Sequence, residues 1–317
     1  MSGTADQSPY RVAIIGAGGV GGYFGGRLAQ AGIDTTFIVR GATLEALRGR
    51  GLRVDSIAGD FALERVQATD DPADIGVVDA IVMTVKTWQI PEAAAKLRPL
   101  IGPDTIVVPL ENGIDAPDVL AELVGREHVL GGLCGIVSFV VAPGHVRHVA
   151  AEPFVKFGEL DNRASERAER LRAAFERAGV KADIPESIQQ WMWMKFLFIV
   201  PMSAIGALTR VPIGVWRAMP EPRAMAEDAL REIIALATAR GVMLPPNALA
   251  LTMERYDAMP PESTSSLQRD VIEGKPSELE AQLGAVVRLG AASGVATPVS
   301  SILYACLVPQ ERRARGV

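Results

Sequence analysis

The chain has 317 residues, of which 49% are hydrophobic, with a mean hydropathy of +0.21. That is ample apolar material for a sizeable core, it excludes disorder as the main state, and at roughly 150 residues per domain it suggests two domains. A formal net charge of -5 argues against nucleic acid as the main partner, because phosphate binding needs a basic surface.

Taken in chain order, residues 1–10 (MSGTADQSPY) are polar and lack the charged-then-apolar order of an export signal. Residues 11–15 (RVAII) are a short apolar run ending in glycines, the pattern of a buried parallel strand entering a turn. Residues 23–32 predict a helix stopped by Gly32, and 35–39 a second strand. Residues 52–54 and 61–63, with Gly59-Asp60 between them, predict a small hairpin. Strands follow at 77–85 and 106–110, separated by a helical stretch at 90–100. Strands alternating with helices imply a parallel sheet covered on both faces. After Gly131 the chain reads as β-rich, with Pro143-Gly144 as a turn, and then as a helix over 171–178 closed by Gly179.

From Glu186 onward the strand signals fade. Helical patterns fill 187–206, 222–240, 246–257 and 277–293, and the last seven residues from Glu311 read as a frayed, solvated end. We therefore expect an α/β chain in two domains. An N-terminal Rossmann-like parallel-sheet domain covers 1–185, and a C-terminal all-α helical domain covers 186–317. The most apolar stretch, residues 191–208 (WMWMKFLFIVPMSAIGAL), approaches the length of a membrane span. Lys195 inside it and Pro201 interrupting it favour the buried helix of a soluble protein.

Residues 16–21 (GAGGVG) form the pattern G-x-G-x-x-G. A bare match says little, but a strand precedes this one and a helix follows it. In that context the first glycine allows the tight turn, the second lets backbone approach a pyrophosphate, and the third lets helix pack on strand. The helix N-terminal N–H groups then face the anion. Gly16, Gly18, Gly19, Val20 and Gly21 are accordingly the expected cofactor-binding residues. The second strand ends in Arg40, where NAD enzymes usually place Asp or Glu. A guanidinium there suits a 2′-phosphate and predicts NADPH/NADP as the cofactor. The alternative is a solvated arginine at a strand end.

Of 32 cationic residues only six are lysines, which makes each lysine worth inspecting. Lys195 is surrounded by large apolar side chains, and at helical spacing it shares a face with Trp191, Ile199 and Met202. It either snorkels to the surface or serves as an acid that protonates an oxygen as hydride reaches carbon. Ser277 and Glu280 have the spacing of a capping box, which would put Glu278 in the first turn of a helix as a catalytic carboxylate able to steer Lys195, or as a helix-start glutamate with no other job. Residues 263–266 (STSS) are a hydroxyl cluster able to bind a carboxylate or to cap the helix that follows, and Lys275-Pro276 reads as a turn. Cys134 and Cys306 give neither a disulfide framework nor a metal or redox spacing, and fit a reducing cytoplasm. His145 and His148 would point to opposite faces of a strand, which leaves a metal site little support.

Together these stretches resemble the ketopantoate reductase (2-dehydropantoate 2-reductase) family. The matching pieces are the glycine loop, Arg40, residues 84–89 (TVKTWQ), 111–113 (ENG), 193–195 (WMK), 264–270 (TSSLQRD) and Ser277-Glu278. The resemblance spans essentially the whole chain. It implies NADPH-dependent reduction of 2-ketopantoate to pantoate, on the route to coenzyme A, in a cleft between two domains. It implies that Lys195 is the catalytic acid and that Glu278 binds the substrate hydroxyl. Ser266 would hold the substrate carboxylate, and Asn112 would lie near nicotinamide and substrate. Lys86 and Gln89 would lie close to the cofactor, and Arg40 would select NADPH. Two positions depart from the family pattern: Ile199 and Ser203 stand where the family often has asparagines that contact substrate. Losing two amides weakens polar recognition and points to a more apolar 2-keto acid or ketone as the alternative substrate. A non-catalytic NADP(H)-responsive binding protein is the alternative of another class. A homodimer, a cytoplasmic location and the absence of membrane or nucleic-acid partners complete the expectations.

Overall fold

The computed structural model describes residues 9–317; the polar N-terminal stretch, through residue 8, lies outside the described residues. The chain divides into two compact units. Among the described residues, unit 1 comprises 9–111 and 116–188, and unit 2 comprises Asn112–Asp115 with Gln189–Val317.

Unit 1 begins β1 (Arg11–Ile15), α1 (Gly19–Gln30), β2 (Asp34–Ile38), α2 (Gly41–Arg50), β3 (Leu52–Ser56), β4 (Phe61–Leu63) and β5 (Gln67–Thr69). It continues with β6 (Ala80–Met83), α3 (Ile90–Ala94), β7 (Ile106–Pro109), α4 (Ala116–Val124), β8 (Leu130–Ala142), β9 (His145–Glu159), α5 (Glu166–Arg177) and β10 (Lys181–Asp183). A five-stranded sheet runs in the order β5-β2-β1-β6-β7 with every pairing parallel. Its central strands feed two cores by simple alternation. Val12 and Ile14 of β1 join Val82 and Val108 on one face, while Ala13 and Ile15 join Ile81 and Val107 on the other. A period of two with both faces buried is what makes these segments read as continuous apolar runs.

The expected hairpin at 52–63 forms, with Leu52 opposite Leu63. It belongs to a second sheet, where β3 runs parallel to β9 and β8 pairs antiparallel with β9. That sheet shares a core with α1, through Val54 and Phe157 beside Phe24. The helix at α2 has little amphipathic signal, and the short strands β5 and β10 lacked a local pattern of their own.

Unit 2 is helical: α6 (Ile188–Thr209), α7 (Ile213–Trp216), α8 (Pro220–Ala239), α9 (Ala248–Ala258), α10 (Ser266–Ile272), α11 (Ala285–Ser293) and α12 (Pro298–Arg315). A π-helical turn, Glu280–Gly284, leads into α11. By length and composition α6 could cross a membrane, yet two-thirds of its most apolar window is buried. Trp193, Phe196 and Leu197 lie in its core-facing set. Pro201 removes an N–H from the α6 ladder, and the buried Tyr256 hydroxyl donates to the Phe198 carbonyl nearby, at 2.6 Å.

The C-terminus corrects the expectation of a frayed end. Helix α12 continues to Arg315, and Glu311 is only 4% exposed. Its charged residues look solvated in sequence, but one of them is anchored in the interior by partners far away in the chain.

Candidate functional site

The glycine loop sits at the carboxyl end of β1, whose neighbours β2 and β6 are reached by connections running to opposite sides. This is the switch point where open parallel sheets bind ligands. Gly16 adopts φ +94°, a conformation that favours glycine. A Cβ on Gly21 would lie 2.1 Å from the Gly16 carbonyl oxygen and 2.2 Å from Thr84 Oγ1, so only hydrogen fits. A Cβ on Gly18 would meet no protein atom within 4 Å, because that position faces open space. The loop is therefore closed behind, at Gly21, and open in front, at Gly18.

Thr84 braces the loop. Its hydroxyl donates toward the carbonyls of Ile15 and Gly16, at 2.8 and 2.9 Å. Gly19, the first residue of α1, lies against the Ser138 backbone of β8. Val20 is half-buried at the start of the same helix. The open pocket in front of the loop is lined by Gly16, Gly18, Arg40, Thr43, Gln89 and Lys96 among others. Arg40 and Gln89 are thus brought to the loop across long stretches of sequence. Lys86 caps the short turn that follows β6. Its N–H donates to Gln89 Oε1 at 3.2 Å, and its ammonium lies 5.8 Å from the Trp88 ring centre.

Arg40 has a partner of its own. Its guanidinium donates to Glu92 Oε1 at 2.7 Å, in a pair that is more than half exposed. Lys96, one helical turn after Glu92, also reaches that carboxylate, at 3.8 Å. Lys96 also lines the pocket. The i,i+4 spacing of Glu92 and Lys96 was visible in the sequence, but their nearness to Arg40 was not. An open anion-ready loop, a facing arginine and a second cation are the features a phosphorylated dinucleotide would use.

In unit 2, the turn after β7 carries Asn112-Gly113. Gly113 takes φ +114°, and a Cβ there would come within 2.8 Å of the Ala281 carbonyl oxygen. Asn112 Nδ2 donates to Glu278 Oε2 at 3.2 Å, across 166 positions of chain. Arg288 secures the same turn by donating to Asp115 Oδ2 at 2.6 Å. Glu278 is 6% exposed, at the head of the π-helical turn, where the Gly284 N–H reaches back five residues to the Leu279 carbonyl. Such turns recur at functional sites.

The capping box between Ser277 and Glu280 does not form. The Ser277 hydroxyl accepts weakly from the Leu279 N–H at 3.3 Å and donates to Glu311, while the Glu280 carboxylate accepts from the Tyr304 hydroxyl. A carboxylate 34 positions away competes successfully for groups that local spacing had assigned to Glu280.

Lys195 lies on α6, half-buried, between the buried Trp193 and Phe196. Ile199 is half-buried one turn on, and Ser203 is 1% exposed with no hydrogen-bond partner for its hydroxyl among the described residues. In the hydroxyl cluster, Ser265 rather than Ser266 caps α10, accepting from the Gln268 N–H at 3.0 Å. Thr264 is held by Arg269, and Ser266 is left half-buried as the first helical residue. His145 bonds Asp55 and His148 bonds Ser56, so the two histidines serve different neighbours on β3. Among the described residues no three His, Cys, Asp or Glu side chains gather as a metal site.

The parallel sheet, its order and the glycine loop at its switch point define a dinucleotide-binding oxidoreductase fold joined to a helical domain. The ketopantoate reductase PanE/ApbA pattern matches residues 12–162, and the pattern of that family's C-terminal part matches 187–311. The chain belongs to this family, and it is an oxidoreductase of a family that uses NADPH. An uncharacterized oxidoreductase of Bacillus subtilis, YkpB, is 31% identical over 298 residues, covering 93% of this chain and 96% of that one. The crystal structure of 2-dehydropantoate 2-reductase from Geobacter metallireducens superposes with a TM-score of 0.87 at 32% identity, covering 94% of this chain and 99% of that one. The ternary structure of D-mandelate dehydrogenase with NADH and anilino(oxo)acetate shares the fold, with a TM-score of 0.87 at 21% identity over 96% of this chain and 99% of that one.

Proposed function

We propose that this protein reduces a 2-keto acid to the 2-hydroxy acid with NADPH, and that the substrate is 2-dehydropantoate. The observation that carries this reading is the pairing of Asn112 with the buried Glu278, two distant family positions joined in one hydrogen bond on the unit that also bears Lys195. The family resemblance supports the same assignment.

When bound, NADPH supplies a hydride from its nicotinamide C4 to the keto carbon. Lys195 donates a proton from Nζ to the ketone oxygen as that hydride arrives, and is later reprotonated from water. Its positive charge stabilises the developing alkoxide. Glu278 accepts a hydrogen bond from the substrate hydroxyl, with its carboxylate oriented by Asn112. Ser266 binds the substrate carboxylate. Gly16, Gly18, Gly19, Val20 and Gly21 receive the diphosphate. Arg40, paired with Glu92 in this structure, would hold the 2′-phosphate, and Lys86 and Gln89 would border the cofactor. Residues 1–185 form the cofactor domain and 186–317 the substrate domain, in a cytoplasmic homodimer.

A second reading keeps the chemistry and changes the substrate. Ile199 and the buried Ser203 replace amides that the family often uses, which favours a more apolar 2-keto acid. NADPH oxidation across a panel of 2-keto acids tests both readings. Highest kcat/KM with 2-dehydropantoate supports the first, and highest kcat/KM with an apolar keto acid supports the second. Tight NADPH binding with no turnover of any panel member rejects the enzyme reading in favour of a cofactor-responsive binding protein.

A further inference from the structure

The residue before Glu278 is held in an unusual way. Ser277 is completely buried. Its N–H donates to both carboxylate oxygens of Glu311, each at 3.1 Å, and its hydroxyl donates to Oε2 of the same group at 2.5 Å. Arg315, one turn further along α12, donates to Glu311 Oε1 at 2.6 Å and to the Ser277 carbonyl at 2.9 Å. One carboxylate and one guanidinium near the end of the chain therefore engage every polar group of Ser277.

Burying a carboxylate is costly unless it is paired and hydrogen-bonded, and Glu311 is both. Helix capping does not require it, because the Ser277 hydroxyl accepts from the Leu279 N–H on its own. What Glu311 adds is a fixed backbone immediately before Glu278. With the Ser277 N–H and carbonyl both pinned, few backbone torsions remain between the clamp and the Glu278 Cα.

We infer that Glu311, with Arg315, is a positioning residue that acts through Ser277 to hold the Glu278 carboxylate in its working orientation. The inference rests on the reading of Glu278 as a substrate-binding group. It also gives the C-terminal turn of α12 a part in substrate recognition, although that turn contributes no group to the site.

The test is a double-mutant cycle of Glu278→Ala and Glu311→Gln in the full chain, assayed with 2-dehydropantoate and NADPH. The NADPH Kd and the thermal midpoint are read on the same samples. Glu311→Gln keeps the shape of the side chain and removes its charge. Expected is a fall in kcat/KM of about tenfold to a hundredfold, the scale of a small misplacement of a reacting partner. The NADPH Kd stays within about twofold, and Glu311→Gln adds no further loss in the Glu278→Ala background. If Glu311→Gln does not fold, Ser277→Ala removes the hydroxyl's bonds to Glu311 and from the Leu279 N–H, keeps the backbone contacts, and is expected to give a smaller loss that again vanishes without Glu278. A lowered midpoint with unchanged kcat/KM, or losses that multiply in the double variant, would show that Glu311 merely fastens α12. A Glu278→Ala loss without any Glu311→Gln loss overturns the clamp but leaves the substrate reading standing. Wild-type kcat/KM in Glu278→Ala, or a wild-type protein silent with 2-dehydropantoate and with every other 2-keto acid of the panel, overturns both.

Discussion

The glycine loop of unit 1 holds its shape largely with backbone, braced by the Thr84 hydroxyl, whereas the Glu278 region of unit 2 holds its shape with side chains. In the loop, the deciding contacts are a Gly21 position with room only for hydrogen and a Gly18 position with nothing in front of it. Around Glu278, the deciding contacts come from three separate stretches of chain: Asn112 before it, Ser277 beside it, and Glu311 with Arg315 after it. With the Thr84 hydroxyl bracing it from β6's far end, the first arrangement depends mainly on the absence of side chains. The second is non-local and depends on their exact identity, so the two regions should respond differently to substitution.

The largest effect is expected at Lys195. Lys195→Ala should lower kcat by about 10²–10⁴-fold, the usual contribution of a positioned proton donor. The NADPH Kd should hardly change, because the pocket in front of the glycine loop belongs to unit 1. Steady-state turnover together with cofactor titration checks this, and undiminished kcat would remove Lys195 from the chemistry.

Next comes a pair that separates the two faces of the loop. Gly21→Ala must push against the Gly16 carbonyl and Thr84, so it should cost about 1–3 kcal/mol of stability and also weaken NADPH binding. Gly18→Ala meets no protein atom, so its thermal midpoint should stay near wild type while NADPH binding weakens. Equal loss of stability in both variants would contradict an open ligand-facing side at Gly18.

Arg40 tests the exposed rim of the same pocket. Arg40→Ala should raise the NADPH Kd by roughly tenfold to a hundredfold, the value of a charge-assisted hydrogen bond, and leave the NADH Kd nearly unchanged. Glu92→Gln removes the competing carboxylate and should tighten NADPH binding a few-fold. Parallel weakening of both cofactors in Arg40→Ala would deny the 2′-phosphate role.

The smallest expected effect lies away from both regions. Asp55 accepts from Arg53, His145 and Arg147, which together hold its carboxyl down at about 2. A depressed folded-state value stabilises the fold above the ordinary carboxylate range, and that contribution is lost as pH falls through about 2. Asp55→Asn should flatten the acid limb of the stability curve between about pH 4 and 2 and leave the NADPH Kd unchanged. Denaturant melts at several pH values will show whether it does.

The difference between the two regions also explains what could be read from the chain. The strand–loop–helix around residues 11–30 was legible, because a buried strand and a glycine spacing are both local signals. The segment at 52–63 was legible as a hairpin, but its membership of a second sheet was not, since parallel pairing of β3 with β9 is a long-range event. Arg40 was legible as the residue at the end of the second strand, whereas its ion pair with Glu92 was not. Ser277 and Glu280 show the reverse failure. Their local spacing suggested a capping box, and a buried Glu311 took the same donors.

By itself, the sequence determined the α/β character of the N-terminal part, the helical character of the rest, and the glycine loop that belongs to a dinucleotide site. Periodicity and backbone permissiveness act within a few residues, so they survive being read one segment at a time. Only the tertiary structure decided that Asn112 meets Glu278, that Lys96 lines the pocket at the glycine loop, and that Glu311 of α12 is buried against Ser277. Each of these contacts joins groups separated by tens of positions or more. The cost of leaving a buried charge or hydroxyl without a partner selects among such contacts only once the whole chain has packed.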